Sequence, residues 1–464
     1  MNLRSGRLAF QVQPTDSCAA VTAHAGLPLV IEAFRSLGLP RAIREHVHFK
    51  QRARGFSEVT CVETLVALLA AGGECVDDVR VLHTDAGLQR LWGKPVLPAA
   101  ETLRAFLNRF HDEPAVAARV AQTAFVPADS PGLRGLAAVQ EVLLGELQQR
   151  APQPRATLDV DANVIASAKR TALPVYEGGT GYQPLGAWWA EQEVWVASQF
   201  RDGNVPAQTG VLEIVQASVA RLRTLGVTTF ALRSDSAGYQ HAVLDWARAE
   251  GIPFAISADL SPELKAKIIA LPPAAWRPFR QWRGVALVHR DREWAEVEFI
   301  PTEGSTKKAL QPDRYLVIRA HLPQGELFAD GATVHYYATV TNNWDWNGER
   351  LLRWSHERCG TVEPAHDILK NELGGGVLPS YRFGANAAWW QLVVLTHNLL
   401  SALKRLALPE DWAPLRPRRL RFLLFHVAGR LVRHGRRLVL RIAQSHPGTA
   451  ALLRARERLF APAT

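Results

Sequence analysis

TLDVDANVIA, residues 157–166, decides how the chain is read. Polar and apolar residues alternate through it, so Thr157, Asp159 and Asp161 share one face of a predicted strand, and Leu158, Val160 and Ala162 the other. An acidic face on a strand needs a reason, because carboxylates are seldom buried without a partner. Two further stretches place an acid where the pattern changes. In VTTFALRSDSAG (227–238) an apolar run stops at Asp235, and in RCGTVEPAHDILKNELGGG (358–376) Glu363 opens a predicted helix that ends in three glycines. Acids at strand ends and on a helix face can gather around hard divalent cations, which take oxygen ligands. The three are therefore expected to converge on one site, suited to a pair of cations that cut and join phosphodiesters. The plain alternative for any one of them is an ordinary surface or capping acid.

Outward from these stretches the pattern is α/β. APQPRA (151–156) is the clearest linker, and after TLDVDANVIA come a glycine turn in GGTGYQPLGAWW and a strand in EVWVASQFRDGN. An amphipathic helix, TGVLEIVQASVARLRTLG, precedes the strand that stops at Asp235; the helix YQHAVLDWARAEG and the short strand IPFAIS follow it. Asp161 and Asp235 thus lie at strand ends, where open α/β sheets place their sites. The part from 151 to 259 is read as the first part of this core. Residues 260–349 change character: WRGVALVHR, WAEVEFIPT, DRYLVIRAH and VHYYATVTN are short and alternating, which predicts an antiparallel β insertion. Helices resume over 350–405, and 406–464, with RPRRLRF and GRLVRHGRRLVLRIA, is read as a basic helical region able to hold phosphate backbone.

Residues 1–150 read as helical and DNA-binding. GLPLVIEAFRSLGLPRAIREHV, TCVETLVALLAAGG and AAETLRAFLNRFHD space their apolar residues at three and four with Gly or Pro between, which fits a helix-turn-helix type module. In the last of them Leu103, Phe106, Leu107 and Phe110 would pack inward, leaving Arg104, Asn108 and Arg109 to face a partner; Arg and Asn read guanine and adenine edges. The alternative is a helical bundle with a solvated basic face.

Composition agrees with a polyanionic partner. The 464 residues are 47% hydrophobic and 21% charged, carry a net charge of +10 with a pI near 9.7, and hold far more Arg than Lys. Cysteines at 18, 61, 75 and 359 form no C-x-x-C pair, so neither a zinc site nor a disulfide framework is indicated. No apolar export segment and no charge-free run long enough to span a membrane is read, which sets the expectation of a cytoplasmic, nucleoid-associated protein without a membrane partner.

Taken together, LDVDAN, GYQPL, RDGN, RSDSAGY, the β block, CGTVEPAHDILKNELGGG, RFGANAAWW and THNLLSALKRL resemble the DDE transposases of bacterial insertion sequences, and are most similar to insertion-sequence family 1380. The resemblance implies an RNase H-like core with a β-rich insertion before its last acid, flanked by helical DNA-binding regions. It implies cleavage at transposon ends and joining of 3′-hydroxyls to target DNA, with Mg²⁺ as cofactor and Mn²⁺ as a substitute. The partners implied are double-stranded DNA, as terminal inverted repeats and target, and a dimer or larger assembly on it.

The resemblance assigns Asp161, Asp235 and Glu363 as metal-binding catalytic acids, with Asp159 in reserve. Relatives in the wider clan carry Y-x-x-R-x-x-x-E-x-x-x-x-x-x-K; Glu363 and Lys370 meet its last spacing, whereas His356 and Cys359 stand where Tyr and Arg are expected and Arg358 is one position away. Pro364 is accommodated if Thr361 caps a helix that starts there. Glu357 and Glu372 are the rivals for the third acid. Lys370 and Arg358 are expected to bind phosphate, and Trp344 and Trp346 in NNWDWNG to stack on an unpaired base, against the simpler reading of packed indoles. Two other functions stand beside the transposase: an RNase H-like DNA nuclease without strand transfer, and a non-catalytic, domesticated DNA-binding copy.

Overall fold

The structure is a computed structural model that describes residues 20–49, 54–120, 123–283, 286–289, 292–300, 312–321 and 333–460. The absence of an export segment, and parts of the β block at 301–311 and 322–332, are expectations that lie outside the described residues. Among the described residues no single helix is long and apolar enough to cross a membrane.

After a short strand β1 (Val21–Thr22) the chain forms α1 (Pro28–Ser36), α2 (Leu39–His46), α3 (Glu58–Ala71), α4 (Val79–Thr84), α5 (Ala86–Trp92), α6 (Ala100–Asn108), α7 (Glu113–Ala117) and α8 (Pro131–Arg150). The predicted helices are present, each delimited by local chemistry. Gly38, at φ +72°, breaks the first predicted stretch into α1 and α2. Ser57 caps α3 by accepting from the Thr60 amide, and Ser130 caps α8 by accepting from that of Leu133.

The core sheet follows: β2 (Arg155–Ala162), then a small sheet of β3 (Ile165–Ala166), β4 (Leu173–Pro174) and β5 (Thr180–Tyr182), then β6 (Leu185–Trp189) and β7 (Val194–Gln199). Next come α9 (Val211–Thr224), β8 (Thr229–Ser234), α10 (His241–Ala249), β9 (Phe254–Ala258), α11 (Pro262–Ile269), β10 (Arg277–Pro278), a two-stranded ribbon of β11 (Gln281–Arg283) and β12 (Ala286–His289), β13 (Arg292–Phe299), β14 (Asp313–His321) and β15 (Val334–Thr341). Nine of these strands form one sheet in the order β10-β13-β14-β15-β9-β8-β2-β6-β7. Strands β2, β8 and β9 are mutually parallel, and the pairs on either side are antiparallel. The β block is therefore no separate body: β15 pairs with β9, Val340 opposite Ile256, and extends the core sheet by its own ladder.

Two long helices organise the rest. α12 (Gly348–Asp367) crosses β2, β8, β9 and β13, and continues as a π-helical turn over Ile368–Glu372. It starts at its Asn347 cap, not at Thr361, so Pro364 lies inside it. Pro364 removes the amide that would bond the Gly360 carbonyl, yet Leu351, Leu352, Val362 and Ala365 are buried, and this packing carries the helix through. α13 (Phe383–Leu406) is buried on almost every side, as a central core helix must be. It packs on α1, α3, α6 and α8 and also on β7, so the N-terminal helices and the sheet share one core.

The tail departs most from expectation. After α14 (Pro417–Leu420), residues 429–442 form a hairpin of β16 (Gly429–His434) and β17 (Arg437–Ile442), not a helix, before α15 (Pro447–Leu459). The reason is the two-residue turn Gly435-Arg436: Gly435, at φ +57°, takes the first central position that such hairpin turns reserve for glycine.

Candidate active site

The sheet register brings the first two acids together. Along the parallel pair β2/β8, Leu158 lies opposite Leu232, Asp159 opposite Arg233 and Val160 opposite Ser234. The next residue on each strand is Asp161 and Asp235, so the two carboxylates leave neighbouring carboxyl ends about 4.8 Å apart in backbone. Asp235 ends its strand by accepting from the Ala237 amide at 3.1 Å. The turn closes tightly: a Cβ on Gly238 would lie 2.6 Å from that of Ser234.

α12 supplies the third side. Its Arg358 Nη1 stands 3.5 Å from Asp161 Oδ1, and His366 Nε2 stands 3.6 Å from Asp161 Oδ2. Burial pushes the Asp161 carboxyl up to about 7; Arg358 opposes the rise, and the negative charges of Asp235 and Glu363 add to it. The charges of both other acids are thus felt at Asp161. Burial holds His366 down to about 3, so its ring is neutral and its approach to Asp161 is no ion pair. Neither ring nitrogen of His366 has a hydrogen-bond partner, nor does Arg358 Nη1.

Lys370, on the π-helical turn, donates to the Val164 carbonyl at 2.8 Å and reaches Asn163 Oδ1 at 3.4 Å, just past the end of β2. Glu363, His366 and Lys370 stand at intervals of three and four, which keeps them on one side of the helix. That spacing was the available signal for His366, which the sequence reading passed over. Asp159 shares a face with Asp161 but is fully buried and taken: Arg233 donates to it twice, at 2.6 and 2.9 Å, and Thr361 Oγ1 at 2.5 Å. Of the rivals, Glu372 is held by Arg416 Nε at 2.7 Å and the Arg418 amide at 2.8 Å, while Glu357 lies 3.4 Å from Arg233 Nη1.

Tyr176 lies between β4 and β5. It is 77% exposed, donates to Glu177 at 2.9 Å, and its phenol is pushed up by that bond first, with Asp161 and Asp235 close enough to contribute. The Gly178-Gly179 turn lies beside it, with both φ values positive.

The expected DNA-reading side chains of α6 are placed unequally. Leu103, Phe106, Leu107 and Phe110 are buried as expected. Arg104 pairs with Asp77, however, and Asn108 Oδ1 accepts from Ser380 Oγ at 3.2 Å. Arg109 alone of the three is exposed and without an ion pair among the described residues. Of the two tryptophans, Trp346 is covered by the Arg350 guanidinium at 3.9 Å and set edge-on to Trp354, whereas Trp344 is 53% exposed.

Could these residues hold a metal? Among the described residues no group of three or more His, Cys, Asp and Glu side chains is gathered closely enough to do so. The donor chemistry nevertheless suits a hard cation. Asp161 is a half-buried carboxylate without a side-chain hydrogen bond that feels the charges of Asp235 and Glu363, with Arg358 as the opposing charge.

A family model described as transposase DDE domain group 1 matches residues 9–463. The chain belongs to that family. Among solved structures, the piggyBac transposase synaptic complex with hairpin DNA is similar at 11% identity and a TM-score of 0.39, over 98% of this chain and 85% of that one. No curated protein matches this transposase-family chain.

Proposed function

We propose that this chain is the transposase of a bacterial insertion sequence of family 1380, which binds the ends of its element, cleaves them by metal-dependent phosphodiester hydrolysis and joins the 3′-hydroxyls to target DNA. The observation that carries the reading is the register of β2 with β8, which sets Asp161 beside Asp235 beneath the helix that bears Glu363. The strand order β7-β6-β2-β8-β9, with its first two pairs antiparallel and its last two parallel, supports an RNase H-like core.

Asp161, Asp235 and Glu363 are the residues that would draw together to hold Mg²⁺, for which Mn²⁺ would substitute. When bound, the ion polarises the phosphate and makes water or a 3′-hydroxyl a better nucleophile. Asp161 is central because the charges of both other acids act on it. Arg358 and Lys370 counter the phosphate charge, Lys370 from a fixed position because the Val164 carbonyl anchors its ammonium. Neutral His366, 3.6 Å from Asp161 and tilted against the Trp195 ring, adds no competing charge. Trp344, 53% exposed with the Arg314 guanidinium 5.8 Å from its ring centre, is the stacking platform for an unpaired base, and Arg109 contacts DNA from the N-terminal region.

The test is Mg²⁺-dependent cleavage of a duplex carrying the element's end by Asp235→Asn protein. Near-normal cutting would sink the proposal. Strand transfer with pre-cut ends then separates a transposase, which joins them, from a nuclease, which does not.

A further inference from the structure

We propose that the β16/β17 hairpin is a basic ribbon that seats in a groove of double-stranded DNA. This rests on the reading of the chain as a DNA-acting transposase but concerns a surface unrelated to the carboxylates.

The register sorts the hairpin into two faces. Arg430 lies opposite Arg441, Val432 opposite Val439 and His434 opposite Arg437, so one face carries three arginines and a histidine around two valines. The other face pairs Gly429 with Ile442 and Leu431 with Leu440 at its base, where Leu431 is 6% exposed and Ile442 packs against the core, and ends in the exposed pair Arg433 and Leu438 near the turn. The base of one side is thus fastened to the body while the other side is basic along its length.

That basic side is arranged against its own stability. Arg430 and Arg441 are direct cross-strand neighbours, a placement that is unfavourable for like charges. On this face Arg430, Arg437 and Arg441 are exposed and have no acidic partner among the described residues, and the same holds for Arg436 in the turn and for Arg433 on the opposite face. Elsewhere in the chain arginines are commonly matched, as Arg456 is by Glu32 and Arg248 by Asp313. An unneutralised arginine ladder of this kind is complementary to a polyanion of regular charge.

The scaffold has the size for duplex DNA. A two-stranded ribbon fits the major groove, and six residues per strand extend it about 20 Å. Its base is rigid: β16 pairs with β1, Thr22 opposite Gly429, and the Leu431 amide donates to the Ala20 carbonyl at 2.7 Å. A Cβ on Gly429 would lie 2.8 Å from that of Ala25, so only glycine allows this approach.

The experiment measures binding of the full chain to a duplex over a range of salt, in an Asp235→Asn background so that no cutting intervenes. R430A/R437A/R441A should flatten the slope of log Kobs against log[salt] by about 2.7, at about 0.9 for each phosphate no longer neutralised. The same three positions changed to Lys should keep the slope. Because the triple Ala variant removes like-charge neighbours, its melting temperature should be unchanged or higher, which distinguishes weakened DNA binding from unfolding. An unchanged slope with a folded variant overturns the inference. So does an unchanged slope together with loss of binding to phosphatidylserine vesicles, which would assign the ribbon to a membrane surface. Failure of the catalytic proposal reads out separately, as cutting by Asp235→Asn protein.

Discussion

Arg233 and Asp159 stand directly opposite on β8 and β2 and are joined by two charge-assisted hydrogen bonds, of 2.6 and 2.9 Å, with both side chains removed from solvent. The pair lies two residues before Asp161 and Asp235. Any slip of one strand against the other would break it, so it fixes the pairing on which the candidate site depends.

Removing one partner leaves the other as an unpaired buried charge. Arg233→Met should therefore destabilise the protein by about 3–5 kcal/mol, as for other broken buried pairs. Urea unfolding checks it, and a loss under about 1 kcal/mol would show that the pair does not hold the register.

Asp161 gives the protein a pH dependence in the absence of metal. Its carboxyl rises from 3.8 to about 7 on folding, so the folded chain holds that proton more tightly than the unfolded one. The group is neutral to stability well below pH 3.8, becomes a growing cost as pH rises from there to about 7, and a constant cost above. Asp161→Asn should stabilise the metal-free protein at pH 8 by about one to a few kcal/mol and do little at pH 4. Thermal melts with chelator at the two pH values test this.

Chelation should abolish end cleavage, and added Mg²⁺ or Mn²⁺ should restore it. Asp235→Asn and Glu363→Gln should each lower the cleavage rate by on the order of 100-fold or more, the scale of losing one preorganised charge-stabilising group. Lys370→Ala should weaken cleavage without changing the metal concentration needed for half-maximal rate. A shifted metal requirement in the Lys370 variant would place that residue among the metal's supports.

Gly348 begins α12 directly against β13: a Cβ there would lie 2.1 Å from the Trp294 ring. Gly348→Ala forces helix and strand apart, at a cost of about 1–3 kcal/mol. The same displacement moves the helix that carries Glu363, so cleavage should fall along with the melting temperature. Trp294→Leu should relieve part of both effects in the double variant.

The strand of Asp161 and the end of the strand at Asp235 were legible in the sequence because alternation and a terminal acid report local geometry. α12 was not: Gly360 and Pro364 read as a helix boundary, and only packing of Leu351, Leu352, Val362 and Ala365 makes one continuous helix. Arg358, one position from the expected Arg, comes within 3.5 Å of Asp161 from within this helix. The hairpin at 429–442 was misread because short runs of Leu, Val and Arg satisfy helical and strand periods alike; the Gly435 turn held the deciding information. The loss of Asp159 to Arg233 was invisible for another reason, since cross-strand partners 74 positions apart leave no local trace.

α13 bears on how such a gene decays. Its apolar surface faces the N-terminal helices on one flank and β7 on the other. A copy truncated near residue 150 in either direction would uncover that surface. Deletion would thus yield aggregating fragments before it yielded a free-standing DNA-binding remnant, and point substitution of an acid is the route by which an intact but inactive descendant would arise.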